Sequence, residues 1–400
     1  MPPRRRLAAL VLLALPVLLT AACNTAPPPT WSLPGTPTSE GASSTPPSEE
    51  VSPSAVPPGC TTAGALAGWS LQKLAMQTIT VPANEGSVST ASAQVAAGAG
   101  GVILFGSKAP ASLAASLKTL SAKAPGGIAP FVMTDEEGGT VQRMSNVVGD
   151  LPSARKMAAT MTPAQIRALA LATGRKLKAV GVTMDLAPVL DLDDRSGPSE
   201  SNPDGSRSFS LDPKKAAAAG IAFAQGLAEA GVVPVVKHYP GLGYASANTD
   251  SASATTLPWT TLQKAGLLPF SDAVKAGLPA IMTSNATVPG LTKLPVSLSP
   301  EAVTKVLREQ LKYDGLVITD SLSATAVNKA GYKVPKAAAQ ALIAGNDMIM
   351  FTAAAGDVAT VTRQTADAIV AAVNAGTLTR ARLENAVTHV LAAKKVSLCS

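Results

Sequence analysis

The chain reads as an α/β protein, a single (β/α)8 TIM-type barrel preceded by a disordered tether, and three observations predict this. Eight short aliphatic runs alternate with alanine-rich stretches of helical period. The folded part is one unit of about 340 residues, within the range of such barrels. Charged and polar residues gather just after the runs, where a barrel carries its chemistry.

In chain order, residues 1–22 form an export signal: three arginines, a short apolar run broken by Pro16, then small residues before Cys23. The run is too short to cross a bilayer core, which needs about 20 apolar residues. Ala21, Ala22 and Cys23 resemble a bacterial lipobox, with Thr20 departing from the usual branched aliphatic residue, so Cys23 is the expected lipidation site. Cleavage and plain secretion is the alternative. Residues 23–59 are rich in Pro, Ser, Thr and Gly and nearly devoid of aliphatic side chains, so they cannot bury a core. In a polyproline-like state such a tether reaches on the order of 100 Å. The expected location is extracytoplasmic, anchored by lipid to the cell membrane and facing the wall.

Residues 60–400 carry the barrel. The predicted strands are 77–81, 102–105, 128–133, 182–188, 232–237, 280–283, 316–319 and 348–351, with helices at 164–180 and 214–230 among the intervening segments. After the strands come Asp135 and Glu136, Asp191, Lys237 and His238, Asn285, and Asp320. Gly98, Gly100 and Gly101 precede a strand instead of following one, so no dinucleotide fingerprint is present.

Removing the signal takes away three arginines and no acid, so the formal charge falls from +7 to +4. Basic residues are scattered and the chain holds only three Trp, four Tyr and six Phe, which argues against nucleic-acid binding. Of three cysteines, Cys23 is assigned to the lipobox. Outside the reducing cytosol, Cys60 and Cys399 are expected to pair, closing nearly the whole domain and contributing about 5 kcal/mol in the chain-entropy model. Two free thiols are the alternative. Neither has a histidine or acid nearby in sequence, so no metal is expected there.

Four segments in order, TDEEGGTVQR (134–143), VTMDLAPVLDL (182–192) with SRSFS (206–210), VVKHYPGLG (235–243) and GLVITDSLSATA (315–326), closely resemble the bacterial β-N-acetylglucosaminidases of glycoside hydrolase family 3. The resemblance covers residues 68–395. It implies a retaining exo-glycosidase on a barrel, without metal or organic cofactor, acting on a carbohydrate that contains N-acetylglucosamine; a monomer is the favoured state. Asp320 matches the family nucleophile. A carboxylate at the end of a barrel strand is placed to attack an anomeric carbon above it, though an aspartate there could also cap the next helix. Asp135 matches the family's sugar-binding aspartate, and Arg143, Arg207, Lys237 and His238 match its other sugar contacts. Arg207 could instead pair with Asp204 or another acid, and His238 could be a satisfied buried histidine. Glu136 stands where glutamine is common and Thr140 where arginine is usual, two departures expected at the pocket edge.

The larger departure follows the fifth strand. The family places an Asp-Ser-His triplet there, its histidine the general acid and base. Here the loop reads GLGYASANTDSAS, with Asp250 and Ser251 but Ala252, and with Leu242 replacing a histidine of the preceding motif. His389, the one histidine besides His238, is expected on the surface of the last helix. Asp250 can serve as the acid if burial raises its pKa, and Leu242, Tyr244, Ala245 and Ala247 are expected to supply apolar surroundings. Two functions follow: a hydrolase with Asp320 as nucleophile and Asp250 as acid and base, or a catalytically impaired protein that binds glycan or a partner through the same pocket.

Overall fold

The computed structural model describes residues 62–399. Cys23, Cys60 and the predicted signal and tether lie outside the described residues. Cys399 lies inside them and is disulfide-bonded.

All eight predicted runs form strands: β1 (Ile79–Asn84), β2 (Gly101–Phe105), β3 (Phe131–Thr134), β4 (Met184–Asp185), β5 (Val233–Tyr239), β6 (Ala280–Thr283), β7 (Leu316–Ser321) and β8 (Met348–Met350). Each pairs in parallel with its neighbour in sequence, and β1 closes on β8 through Ile79 opposite Ile349. Closure leaves no free sheet edge. Only β4 falls well short of its predicted length. Pro188 has no N–H to donate, so beyond Asp185 the chain stays extended but meets β5 through separate bonds, Val235 N to Ala187 O and Lys237 N to Pro188 O, both 3.1 Å.

Alternation along the strands sends one set of side chains into the barrel. Ile103, Phe131, Met133, Met184, Val235, Met282, Ile318 and Met348 fill it, all nearly inaccessible. The unbranched methionines suit so irregular a space. The other set meets the helices. Two of these, α1 (Pro163–Ala179) and α2 (Pro213–Glu229), have starts written in the sequence. Thr162 and Gln165 form a capping box, and Asp212 accepts from the N–H groups of Lys214 and Lys215. Such caps contribute about 1 kcal/mol each. No helix among the described residues is long and apolar enough to cross a membrane.

One expectation fails at the amino-terminal end of the barrel. His389 is not a surface residue: it is half-buried, with Nδ1 3.0 Å from Oδ1 of the fully buried Asp347. The same carboxylate takes Arg382, Arg308 and the N–H of Val317, at 2.9 Å for the last. Burial opposes the charge of Asp347, but its cations outweigh burial and hold the carboxyl below its ordinary range.

Candidate active site

The carboxyl ends of the strands enclose a cavity of about 380 Å³. Asp135, Arg143, Arg207, Lys237, His238, Asp250 and Asp320 all line it. The loops after β3, β4 and β5 and the carboxyl ends of β5 and β7 bring them together across nearly two hundred positions of sequence.

Asp135 follows β3 directly, and its Oδ1 accepts from Lys237 Nζ at 2.8 Å while Arg143 stands 3.8 Å from its other oxygen. The chain then turns back in a short hairpin of Glu136–Gly138 against Val141–Gln142. Gly138 and Gly139 make the turn at φ of +90° and +61°, and a Cβ on Gly138 would fall 2.4 Å from the Pro152 carbonyl oxygen. Within the hairpin, side chains alternate in direction. Glu136 points away from the cavity and accepts from the N–H groups of Arg143 and Met144 at 3.0 and 2.9 Å. Neither Glu136 nor the exposed Thr140 lines the cavity, so both departures lie elsewhere than the pocket edge. Glu137 faces in.

Glu137 is the hub that the sequence reading missed. Arg207 grips it through two bonds of 2.8 Å, and Lys237 stands 2.6 Å from Oε1. Arg207 therefore pairs with Glu137 and not through its side chain with Asp204, while still facing the cavity. Burial works against the charge on Glu137, but Arg207 and Lys237 overcome it and hold the carboxyl well below its usual range. Conversely, Asp135 and Glu137 keep the buried Lys237 protonated against desolvation. The result is a fixed row of charge-assisted donors and acceptors, suited to sugar hydroxyls. A signal for Glu137 existed: three consecutive acids before Gly-Gly place the first and third on one face of an extended segment.

His238 presents its ring to the cavity and sets Nδ1 2.6 Å from Asp191 Oδ2, so one proton lies between them. Asp191 also accepts from the N–H groups of His238 at 3.0 Å and Leu242 at 2.6 Å, pinning the start of the loop after β5. Burial, chiefly, lowers His238 to about 4, aided by Arg207, and raises Asp191 to about 7. The ring is thus neutral at neutral pH. Gly243 in this loop passes so near the chain after β4 that a Cβ would stand 1.9 Å from the Leu192 carbonyl oxygen.

Asp320 lies at the end of β7, where its Oδ1 accepts from Ser321 N–H at 2.6 Å. It does not cap the next helix, Thr325–Lys329, whose cap position is Ala324. The backbone carbonyls of Asp250 and Thr249 accept from the Thr325 and Ala326 N–H groups at 3.3 and 3.0 Å instead. The loop that bears Asp250 is therefore seated on the loop that follows Asp320. Asp250 is exposed at the mouth of the cavity, and loss of hydration about its carboxyl raises its pKa against the pull of Arg207. Burial raises Asp320 too, and the charge of Asp250 raises it further. Of the expected apolar surroundings, Leu242 lines the cavity and packs below the loop with Ala245, Ala254 and Ala286. Tyr244 turns away, bonding Asp194 beneath the Arg195 guanidinium.

Asn285 is a brace and not part of the cavity wall. It donates to the Ser321 carbonyl at 2.7 Å and accepts from Ser297 at 2.7 Å, fixing the residue beside Asp320.

Residues 75–393 match the family description "Glycosyl hydrolase family 3 N terminal domain". The chain is similar to Beta-hexosaminidase LpqI of Mycobacterium tuberculosis, 39% identical over 57% of this chain and 60% of the relative, so the match spans less than two thirds of that protein. It is 36% identical to a Beta-hexosaminidase of Thiobacillus denitrificans over 63% of this chain and 70% of the other. In structure it resembles M. tuberculosis LpqI with a TM-score of 0.75 at 31% identity, covering 86% of this chain and 99% of that one. A Mycobacterium smegmatis glycosyl hydrolase gives 0.74 at 32%, over 84% and 98%.

Proposed function

The chain belongs to glycoside hydrolase family 3, and from that membership we propose that it is an exported, lipid-anchored β-N-acetylhexosaminidase that hydrolyses cell-wall-derived or related glycosides with retention. The observation that carries the reading is the placement of Asp320 and Asp250 on one cavity, beside a charged row fit to hold a terminal sugar.

The chemistry follows from the two carboxyls. The sugar sits against Asp135, Arg143, Arg207, Lys237 and His238, with its anomeric carbon toward Asp320. In the productive state the charge is on Asp320, stabilised by the Ser321 N–H, and the proton is on Asp250. Asp320 attacks the anomeric carbon as Asp250 passes its proton to the departing oxygen, forming a glycosyl-enzyme and a free alcohol. Asp250, now a carboxylate, takes a proton from water, whose oxygen displaces Asp320. The acid that histidine supplies in the family is here supplied by a carboxyl whose pKa is raised by desolvation. Support for a hexosaminide substrate comes from the names of the relatives, and support for a wall-facing location from the sequence of the first 59 residues.

Turnover of an aryl N-acetylglucosaminide, followed by proton NMR of the first-formed sugar, tests the reading. The expected product is the β-anomer. Binding of the sugar without turnover above that of Asp320→Asn would leave a glycan-binding protein and end the hydrolase proposal. Membrane attachment is tested separately, since Cys23→Ala should release the protein from the membrane fraction or leave it unprocessed.

A further inference from the structure

Behind the His238 wall lies a second cluster, of which the hydrolytic scheme uses only that histidine. Asp191, Asp204 and His238 each offer a ligand atom within 4.8 Å of the others, and all three are buried. Asp204 stands out among them. It is wholly inaccessible, yet neither of its carboxylate oxygens has a hydrogen-bond partner. Buried carboxylates are ordinarily satisfied, and an orphaned one calls for an explanation such as a bound ion.

Charge points the same way. Asp135, Glu137, Asp185, Asp191, Asp204 and Asp320 crowd one end of the barrel, opposed chiefly by Arg207 and Lys237, with Arg143 half-exposed at the edge and Arg195 paired with Asp193. Glu137 consumes much of what the two buried cations can give. Asp191 and Asp204 are left with an excess of negative charge that protons or a metal ion must neutralise.

We propose that Asp191, Asp204 and His238 form a binding site for a zinc-type divalent cation, distinct from the sugar-binding row and sharing with it only the His238 side chain. One imidazole and two carboxylates make a nitrogen and oxygen donor set that suits zinc, with bonds of about 2.0–2.2 Å. Magnesium and calcium prefer all-oxygen shells and are excluded by the imidazole and by the small number of carboxylates. The proton now shared between His238 Nδ1 and Asp191 Oδ2 must leave when the metal arrives, because two atoms 2.6 Å apart are too close to be neighbouring ligands. Because the metal reorients His238, a bound sugar and a bound ion oppose each other, each weakening the other by the same factor.

The chain has only two histidines, which makes the test direct. The full chain, labelled with ¹⁵N-histidine and stripped with chelator, is titrated with zinc chloride while both rings are followed by NMR and bound zinc is counted. The expected result is one zinc per chain with large shifts at His238 and none at His389, and no such change with magnesium chloride. Asp204→Asn, checked for folding by its melting transition, should weaken zinc by about 100-fold. Absence of zinc binding, shifts confined to His389, or unaltered His238 shifts in Asp204→Asn would each overturn the site. None of these readings involves sugar turnover, so failure here is distinguishable from failure of the hydrolase proposal.

Discussion

The two ends of the barrel bury the same kinds of group and treat them in opposite ways. At the amino-terminal end, Asp347 has partners on both oxygens: Arg308 and the Val317 N–H on one, Arg382 on the other, with His389 Nδ1 3.0 Å from it. At the carboxyl-terminal end, Asp204 has none on either oxygen, Asp191 is raised to about 7, and Asp320 and Asp250 each raise or are raised by neighbouring acids. A saturated carboxylate holds its charge and locks the fold. An under-satisfied one keeps bonding capacity for something that arrives later, at a cost in stability. The same barrel thus separates Asp347 from Asp204 by the number of donors given to each.

The largest expected effect is on the chemical end. Asp250→Ala should lower turnover of a natural disaccharide by about 10²–10⁴-fold, and of an aryl glycoside with a good leaving group far less, because a phenol needs little protonation to depart. Azide should restore the aryl reaction by attacking the glycosyl-enzyme without base help, yielding a glycosyl azide visible by mass spectrometry. Equal losses on both substrates and no azide product would remove Asp250 from the role.

Next in size is the structural end. Asp347→Asn should cost about 3–5 kcal/mol in denaturant unfolding, since Arg308 and Arg382 lose their buried counter-charge, while KM for the sugar stays unchanged. Because the folded pKa of Asp347 is depressed, its contribution is complete above the unfolded carboxylate value of about 3.9 and disappears as pH falls through the folded one. The gap between parent and variant should therefore be full at neutral pH and close in acid. A gap independent of pH would show that packing and not charge is responsible.

Opposite in sign is Asp204→Asn. Removing an unpaired buried charge from metal-free protein should stabilise it at alkaline pH by about 1–3 kcal/mol, so its melting temperature should rise where that of Asp347→Asn drops. A fall in both would contradict the contrast between the two ends. The smallest effect is a displacement of a pH profile. Asp250 must hold its proton for the first step, so in Asp250→Asn the basic limb of kcat/KM on an aryl substrate should move to higher pH. A limb that stays in place would assign it to another group.

Much of this was legible in the sequence for local reasons. The eight runs and the grouping of polar residues after strands depend on neighbours in the chain, as do the caps at Thr162 and Asp212, which went unread, and every described residue nominated for the sugar or the chemistry does line the cavity. What escaped depends on contacts across long stretches of sequence. Arg207 chose Glu137, seventy positions away, over the nearby Asp204, and His389 in the last helix found Asp347 just before the last strand. The shortening of β4 was locally encoded in Pro188 and went unread. The shortage of protein donors around Asp204 has no sequence signature, since it depends on side chains that other elements bring.

The central claim is that Asp320 is the nucleophile, and covalent trapping tests it most directly. Incubation with a 5-fluoro glycosyl fluoride of N-acetylglucosamine, whose leaving group needs little acid, should add one sugar per chain by intact mass, and peptide mapping should place it on Asp320. An adduct on another residue, or none under conditions where the sugar demonstrably binds, would contradict the account.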